Sequence, residues 1–414
     1  MSWVKTAIPL ANLLWIIAAL NLQQIGAEPR LPTPTGEFAV GRKSFTWVDI
    51  NRSMRPVKVD IWYPAEFSGE PDGRYFPNLD ILLKDVATAG SIIDLFGPAL
   101  PELTRGIPLS NAHENARIVE KGRPFPLLVF SHGLGISPYN YSIQLEDLAS
   151  HGYLIAAVEH IHDTLGVILP GEGVVPFDAE LWARYGSAPV PETVKFAEER
   201  AKVWAEDLLF VLQRLTALSS ERGSPFYKAI DLRRIGVFGH SHGGRSAVTA
   251  SILDSRIQAC LNEDGRLDET QLQRPYWPLP GHQINGAFAM LDWFDPGLDE
   301  EDFTGMQTTQ KEYAMARLKA TGAALEAYRS AIGGSCHFSM LQRGMSHMAF
   351  TDLPWLTASS EANRTRYVEY LQVINRTVRK YFDQTLKGEP ARKLGRDRAD
   401  DGVLVQCYEP AGKD

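Results

Sequence analysis

The 414-residue chain predicts an α/β fold: a mostly parallel central sheet, helices on both faces, and a loop and helix insertion near the site. Three observations lead there. Phe125–Phe130 and Tyr153–Val158 are near-continuous apolar runs, as strands covered on both faces require. They alternate with helical patterns at Tyr141–His151 and Thr193–Leu218, the second placing Trp204, Leu208, Val211, Leu212 and Leu215 on one face. Finally, the short apolar run Ile235, Val237, Phe238 ends in Gly239-His240-Ser241-His242-Gly243-Gly244 and continues into helix-tolerant residues.

Taken in order, the chain opens with Lys5 and a mostly apolar stretch from Thr6 to Leu22, followed by Gly26-Ala27. Residues 1–27 read as a secretory signal peptide, with a retained membrane anchor as the alternative. The stretch is interrupted by Pro9, Asn12 and Asn21 and lies at or below the ~17-residue lower limit for spanning a bilayer. Localisation is then secreted or periplasmic. Residues 28–390 read as one catalytic domain and 391–414 as a polar tail. Ser44–Asp49 and Val57–Tyr63 alternate like edge strands, and Leu79–Leu95 has helical spacing. Gly166–Glu192 is broken by Pro and Gly and reads as a flap. After the serine turn come strands at Ile257–Asn262, Ala287–Leu291 and Phe338–Gln342, a helix-rich stretch at Met306–Ala331, and a last helix at Glu361–Leu386.

Composition excludes several functions. With 44% hydrophobic and 22% charged residues the chain has a sizeable core, and a net charge of −8 without a basic run argues against nucleic acid. Cys260, Cys336 and Cys407 are too few and scattered for a disulfide scaffold or a metal knuckle. Sequons at Asn51, Asn140, Asn363 and Asn375 matter only in a eukaryotic secretory route.

The G-x-S-x-G pentapeptide around Ser241 is the nucleophile elbow of α/β-hydrolases: strand, sharp turn, helix. It holds the serine Oγ clear of the sheet, at a helix N-terminus that favours developing negative charge. A serine hydroxyl needs a base, and the base an orienting carboxylate, in the chain order Ser, acid, His. His347 follows the last strand and is the expected base, ahead of His337. Asp264 and Asp292 each end a strand on the site edge, and the residues alone do not choose between them. The expected oxyanion donors are the backbone N–H groups of His242 and of Leu134, in His132-Gly133-Leu134-Gly135. His132, Gly133 and His160 are expected at the substrate. Glu159-His160-Ile161-His162-Asp163 has metal-ligand residue types but no partner cluster elsewhere, so no metal is expected.

Val129–Gly135, Leu148–Tyr153, Ala156–His160, Gly239–Gly244 and Ser346–Asp352 resemble, in order and spacing, the plasma and type II platelet-activating factor acetylhydrolases. Pro34–Gly41 is similar to the opening of bacterial relatives. The resemblance runs from about residue 36 to 387. It implies a calcium-independent serine esterase acting on phospholipids with short or oxidised acyl chains, or on other short-chain esters, without a cofactor and with at most transient membrane-surface contact. It also implies Asp264 as the acid, giving Ser241, Asp264 and His347. Two departures touch the pocket: His242 stands where the family has an aromatic, and the Asp264–His347 segment is longer. A general carboxylesterase, or a polyester or lactone hydrolase, is the alternative within catalysis; a non-catalytic binding protein of the same fold is the alternative outside it.

Overall fold

The computed structural model describes residues 30–67, 69–96, 109–186, 190–265 and 345–388, with strand segments at 268–269, 274–275, 287–294, 335–341 and 403–408. Residues 1–27, Met306–Ala331 and most of 391–414 lie outside the described residues. Among those described, no helix is long and apolar enough to cross a membrane.

Among the described residues ten strands form one sheet. In chain order they are β1 (Ala39–Asp49), β2 (Arg55–Ala65), β3 (Ala112–Glu114), β4 (Phe125–Ser131), β5 (Leu154–Glu159), β8 (Ile230–His240), β9 (Ile257–Glu263), β10 (Ala287–Phe294), β11 (Ser335–Leu341) and β12 (Val403–Tyr408), with β6 (Gly166–Leu169) and β7 (Gly173–Pro176) making a separate hairpin. The order across the sheet is β12-β11-β10-β9-β8-β4-β5-β2-β1-β3. From β5 to β11 every pairing is parallel, so β4, β5, β8, β9, β10 and β11 all end on one edge. Among the ten, β2, paired antiparallel with both β1 and β5, and β12, paired antiparallel with β11, run against the direction of the other strands.

The central strands are apolar throughout because each feeds two cores. Leu128, Phe130, Ile155, Ala157, Phe238 and Leu261 face one side, where they join Ile374, Val378 and Phe382 of the last helix, Glu361–Leu386. The alternate residues Leu127, Val129, Leu154, Ala156, Val158 and Val237 face the other. There they meet Leu208, Leu212 and Leu215 of the long helix Val190–Ser220 and Val248 of His242–Leu253. Period-two alternation in the strands thus meets period-3.6 stripes in the helices. Each fully buried side chain of this size contributes about 1.5–3 kcal/mol.

Several sequence expectations change in detail. The Leu79–Leu95 pattern divides into helices Leu79–Leu82 and Val86–Phe96. The Gly166–Glu192 flap has regular structure: the β6–β7 hairpin, then a helix at Ala179–Gly186. Within the segment read as a polar tail, Val403–Tyr408 is the outermost strand, a non-local pairing to which composition is blind. In its register Cys407 lies opposite Cys336, whereas Cys260 is buried as a free thiol. Asn140 and Asn375 are buried, so those two sequons cannot accept a glycan as folded.

The serine turn is set by contact, not by glycine flexibility. A Cβ on Gly243 would fall 2.1 Å from the Ser131 carbonyl oxygen, and one on Gly239 would fall 2.5 Å from the same atom. Helix His242–Leu253 therefore presses against the end of β4 at van der Waals distance. Ser241 itself takes φ 57° and ψ −121°, an uncommon conformation for a residue with a side chain and a cost of about 1–3 kcal/mol. Gly243→Ala forces the elbow away from β4 and is expected to lower unfolding free energy by about 2 kcal/mol, an overpacking cost read from urea denaturation of the purified variant.

Candidate active site

Four loops at the strand-terminating edge bring the expected residues together. Ser241 follows β8 as the N-cap of helix His242–Leu253, and its N–H donates to the Glu263 carbonyl at 2.8 Å. Asp264 follows β9. Its N–H donates to the Leu291 carbonyl of β10 at 2.8 Å, and the turn beyond it is closed by Asn262, whose amide bonds Gly265 in both directions at 2.9 Å. Asp264 is buried and has φ 51°. His347 begins a short 3-10 turn, His347–Phe350, after β11. Its Nδ1 lies 2.5 Å from Asp264 Oδ2, and its side chain is 43% exposed. A carboxylate on Nδ1 leaves Nε2 as the nitrogen able to take a proton, and the exposed imidazole can face solvent and substrate. The rival positions His337 and Asp292 lie within β11 and β10.

Three successive amides follow β4. Gly133 N–H donates to Tyr141 Oη at 2.9 Å and Gly135 N–H to the Asp163 carbonyl at 2.9 Å. The Leu134 N–H between them has no acceptor among the described residues. It and the first amide of helix His242–Leu253 are donors of the kind an oxyanion requires.

His132 and His160, expected at the substrate, are instead wholly buried in a polar web beneath the loop. The His160 N–H donates to His132 Nε2 at 3.1 Å, and His132 Nδ1–H donates to the Gly133 carbonyl at 2.7 Å. His160 Nδ1–H donates to Asp207 at 3.0 Å, and its Nε2 accepts from Ser131 Oγ at 2.9 Å. Its ring stacks on Trp204 at 4.0 Å. Burial holds the pKa of both histidines below the usual range, so both are neutral supports. Burial acts on Asp207 in the opposite sense, but bonds from Arg55 and His160 outweigh it and keep the carboxyl below its ordinary value. Gly133 does lie in the site loop.

Asp163 is a second hub that sequence reading passed over. Its buried carboxylate accepts from Trp182 Nε1 at 2.9 Å and Trp204 Nε1 at 2.6 Å, and pairs with Arg200. Trp182 belongs to the flap helix, so the flap is fastened to the loop that also bonds Gly135. His242 sits edge-to-face against Trp204 (4.6 Å) and Trp182 (5.7 Å), which gives an imidazole the surroundings of an aromatic. Burial and then Arg245 hold it neutral. Glu159 is engaged with Lys58 at 2.8 Å. Among the described residues no three metal-ligating side chains converge.

Known proteins are similar to this chain in sequence or in structure. The model of the platelet-activating factor acetylhydrolase isoform II family matches residues 24–168. A platelet-activating factor acetylhydrolase of Bos taurus is 24% identical over 272 residues, 60% of this chain and 57% of that protein. A probable 1-alkyl-2-acetylglycerophosphocholine esterase of Arthroderma benhamiae is 30% identical over 279 residues, 61% of this chain and 63% of its own. The chain thus spans less than two thirds of the length of either relative. A solved ferulic acid esterase from Streptomyces cinnamoneus is 25% identical with a TM-score of 0.64, covering 92% of this chain and 99% of that one. The mostly parallel sheet and this likeness make the fold an α/β-hydrolase.

Behind Asp264, Glu263 is fully buried; Gln144 Nε2 donates to its Oε1 at 2.8 Å, and Oε2 has no partner among the described residues. Burial, opposed only by that bond, pushes its carboxyl from 4.5 up to about 8. A folded-state pKa above the unfolded one means that the folded protein holds the extra proton. This contribution to stability is complete below about 4.5 and is lost as pH rises through about 8. Glu263→Gln, which mimics the protonated acid, is expected to flatten that slope and to be the more stable form in alkali. Urea midpoints taken below, within and above the window check it.

Proposed function

We propose that this chain, a relative of the platelet-activating factor acetylhydrolase family, is a serine-dependent carboxylic ester hydrolase. Its substrates are short-chain or oxidised acyl esters, including those at the sn-2 position of phospholipids. The single observation that carries the reading is the hydrogen bond from His347 to the buried Asp264 carboxylate, beside a serine held at φ 57° on a strand-to-helix turn.

In this scheme His347 Nε2 removes the Ser241 hydroxyl proton as Oγ attacks the ester carbonyl. Asp264 fixes the imidazole tautomer and stabilises the imidazolium. The Leu134 and His242 amides receive the oxyanion, and His347 returns the proton to the leaving alcohol. Water, deprotonated by the same histidine, then releases the acid from the acyl-enzyme. No step uses a cofactor or a metal. Residues 28–390 act as the catalytic unit, delivered by a cleaved signal in 1–27 to a secreted or periplasmic location. Contact with lipid is transient and surface-level, and nucleic acid is not a partner.

A second reading has its own support. The solved structure that matches almost the whole chain is a ferulic acid esterase, so an aryl or general carboxylesterase is the competing specificity. Hydrolysis without calcium of p-nitrophenyl esters from acetate to dodecanoate, a short-chain phospholipid and methyl ferulate separates the two. A steep fall beyond short chains with the phospholipid cleaved supports the first, and preferred cleavage of the ferulate supports the second. Ser241→Ala and Asp264→Asn are each expected to lower kcat about ten-thousandfold, and Asp292→Asn to stay within about threefold of wild type. Full activity in Ser241→Ala sinks the serine mechanism. A dead Asp292→Asn with an active Asp264→Asn moves the acid to β10.

A further inference from the structure

Of the groups around the site, His240 and Tyr141 have no role in the scheme above, yet both are buried and polar and touch two of its loops. Tyr141 Oη accepts the Gly133 N–H at 2.9 Å and lies 2.8 Å from His240 Nδ1. His240 Nε2 lies 3.0 Å from the His347 carbonyl oxygen. Only one proton arrangement satisfies all three bonds. A carbonyl accepts, so Nε2 must carry the hydrogen. A neutral imidazole then has a bare Nδ1, which takes the Tyr141 hydroxyl proton, leaving Oη free to accept from Gly133.

We propose that Tyr141 and His240 form a hydrogen-bonded wire that fixes the Leu134 amide relative to His347, making both positioning residues for the serine reaction proposed above, on which this inference rests. The wire spans the two groups that must act together: the donor loop after β4 and the histidine loop after β11. Its packing leaves little play. A Cβ on Gly133 would lie 3.1 Å from both His240 Nδ1 and Tyr141 Oη. The Tyr141 ring packs on Phe130 at 4.7 Å, and the His240 ring lies 4.4 Å from that of His347 and stacks on Phe350 at 5.4 Å. Burial and then His347 hold His240 well below the usual histidine range, which preserves the neutral tautomer the wire needs. By holding the Gly133 amide, Tyr141 also keeps it from competing with Leu134 for the oxyanion.

The test compares Tyr141→Phe, His240→Gln, His240→Leu and the double variant Tyr141→Phe/His240→Leu with wild type. Steady-state hydrolysis of p-nitrophenyl acetate, thermal midpoints, and histidine ¹⁵N spectra of the full chain are read for each. Tyr141→Phe is expected to lower kcat about tenfold with KM within about twofold, since only alignment is lost. Glutamine can accept from Tyr141 and donate to the His347 carbonyl, so His240→Gln keeps most of kcat while His240→Leu does not. The double variant should be no slower than His240→Leu alone, because one wire is already cut. The wire is overturned if Tyr141→Phe matches wild type, if Gln is no better than Leu, or if activity follows the thermal midpoint alone. Should Ser241→Ala hydrolyse as fast as wild type, the serine reading fails separately. The wire is then decided by the spectra: a neutral Nε2–H His240 whose shifts move in Tyr141→Phe keeps it, and unmoved shifts overturn it.

Discussion

The close approach between the serine turn and the end of β4 governs the rest of the site. With Gly239 and Gly243 both packed against the Ser131 carbonyl, helix His242–Leu253 can start directly beside the loop that carries Leu134. The oxyanion role proposed for the Leu134 and His242 amides, which lie about a hundred residues apart in the chain, depends on that contact. Any side chain at either glycine separates them. The uncommon backbone of Ser241 is the local cost, and the sheet pairing of β8 to both β4 and β9 sustains it.

Beneath that contact lies a layer of buried polar groups that satisfy one another almost completely. His132, His160 and His240 are neutral because they are buried, and each uses both ring nitrogens within the protein. Neutral donors and acceptors in a low-dielectric interior hold geometry firmly without the desolvation cost of buried charge. Ions enter only where they are compensated: Asp207 between Arg52 and Arg55, and Asp163 between Arg200 and two indoles. His347, with its side chain 43% exposed, differs from these three buried histidines, as the proton exchange proposed for it requires.

Much of the architecture was legible because its signals are local. The last helix has the bounds its apolar spacing predicts, Glu361–Leu386, and the apolar runs at Phe125 and Tyr153 are β4 and β5. The site was legible as a set of loops, since chain order and strand ends follow from the same pattern. What failed was the assignment of side chains to surface or interior. His132 and His160 read as pocket residues because their loops face the site, but one residue at a strand end can point inward while its neighbour points out. His240 carries no signal of a role in the sequence, because it precedes Ser241 and the base follows the nucleophile in the chain order of this fold. Tyr141 looked like the start of a helix. Strand β12 was invisible because its partner, β11, is some 60 residues away, beyond the reach of any local pattern.

By itself the sequence determined the parallel α/β sheet, the turn at Ser241 and a short choice of acids and bases. Periodicity and glycine spacing are properties of a few consecutive residues, and steric rules act on them directly. Only the tertiary structure set the Asp264 carboxylate against His347 Nδ1, buried His132 and His160, and joined Gly133 to His347 through Tyr141 and His240. Each of these depends on distances between residues from 8 to 107 positions apart, and on which neighbours exclude water. Folding alone brings such groups together.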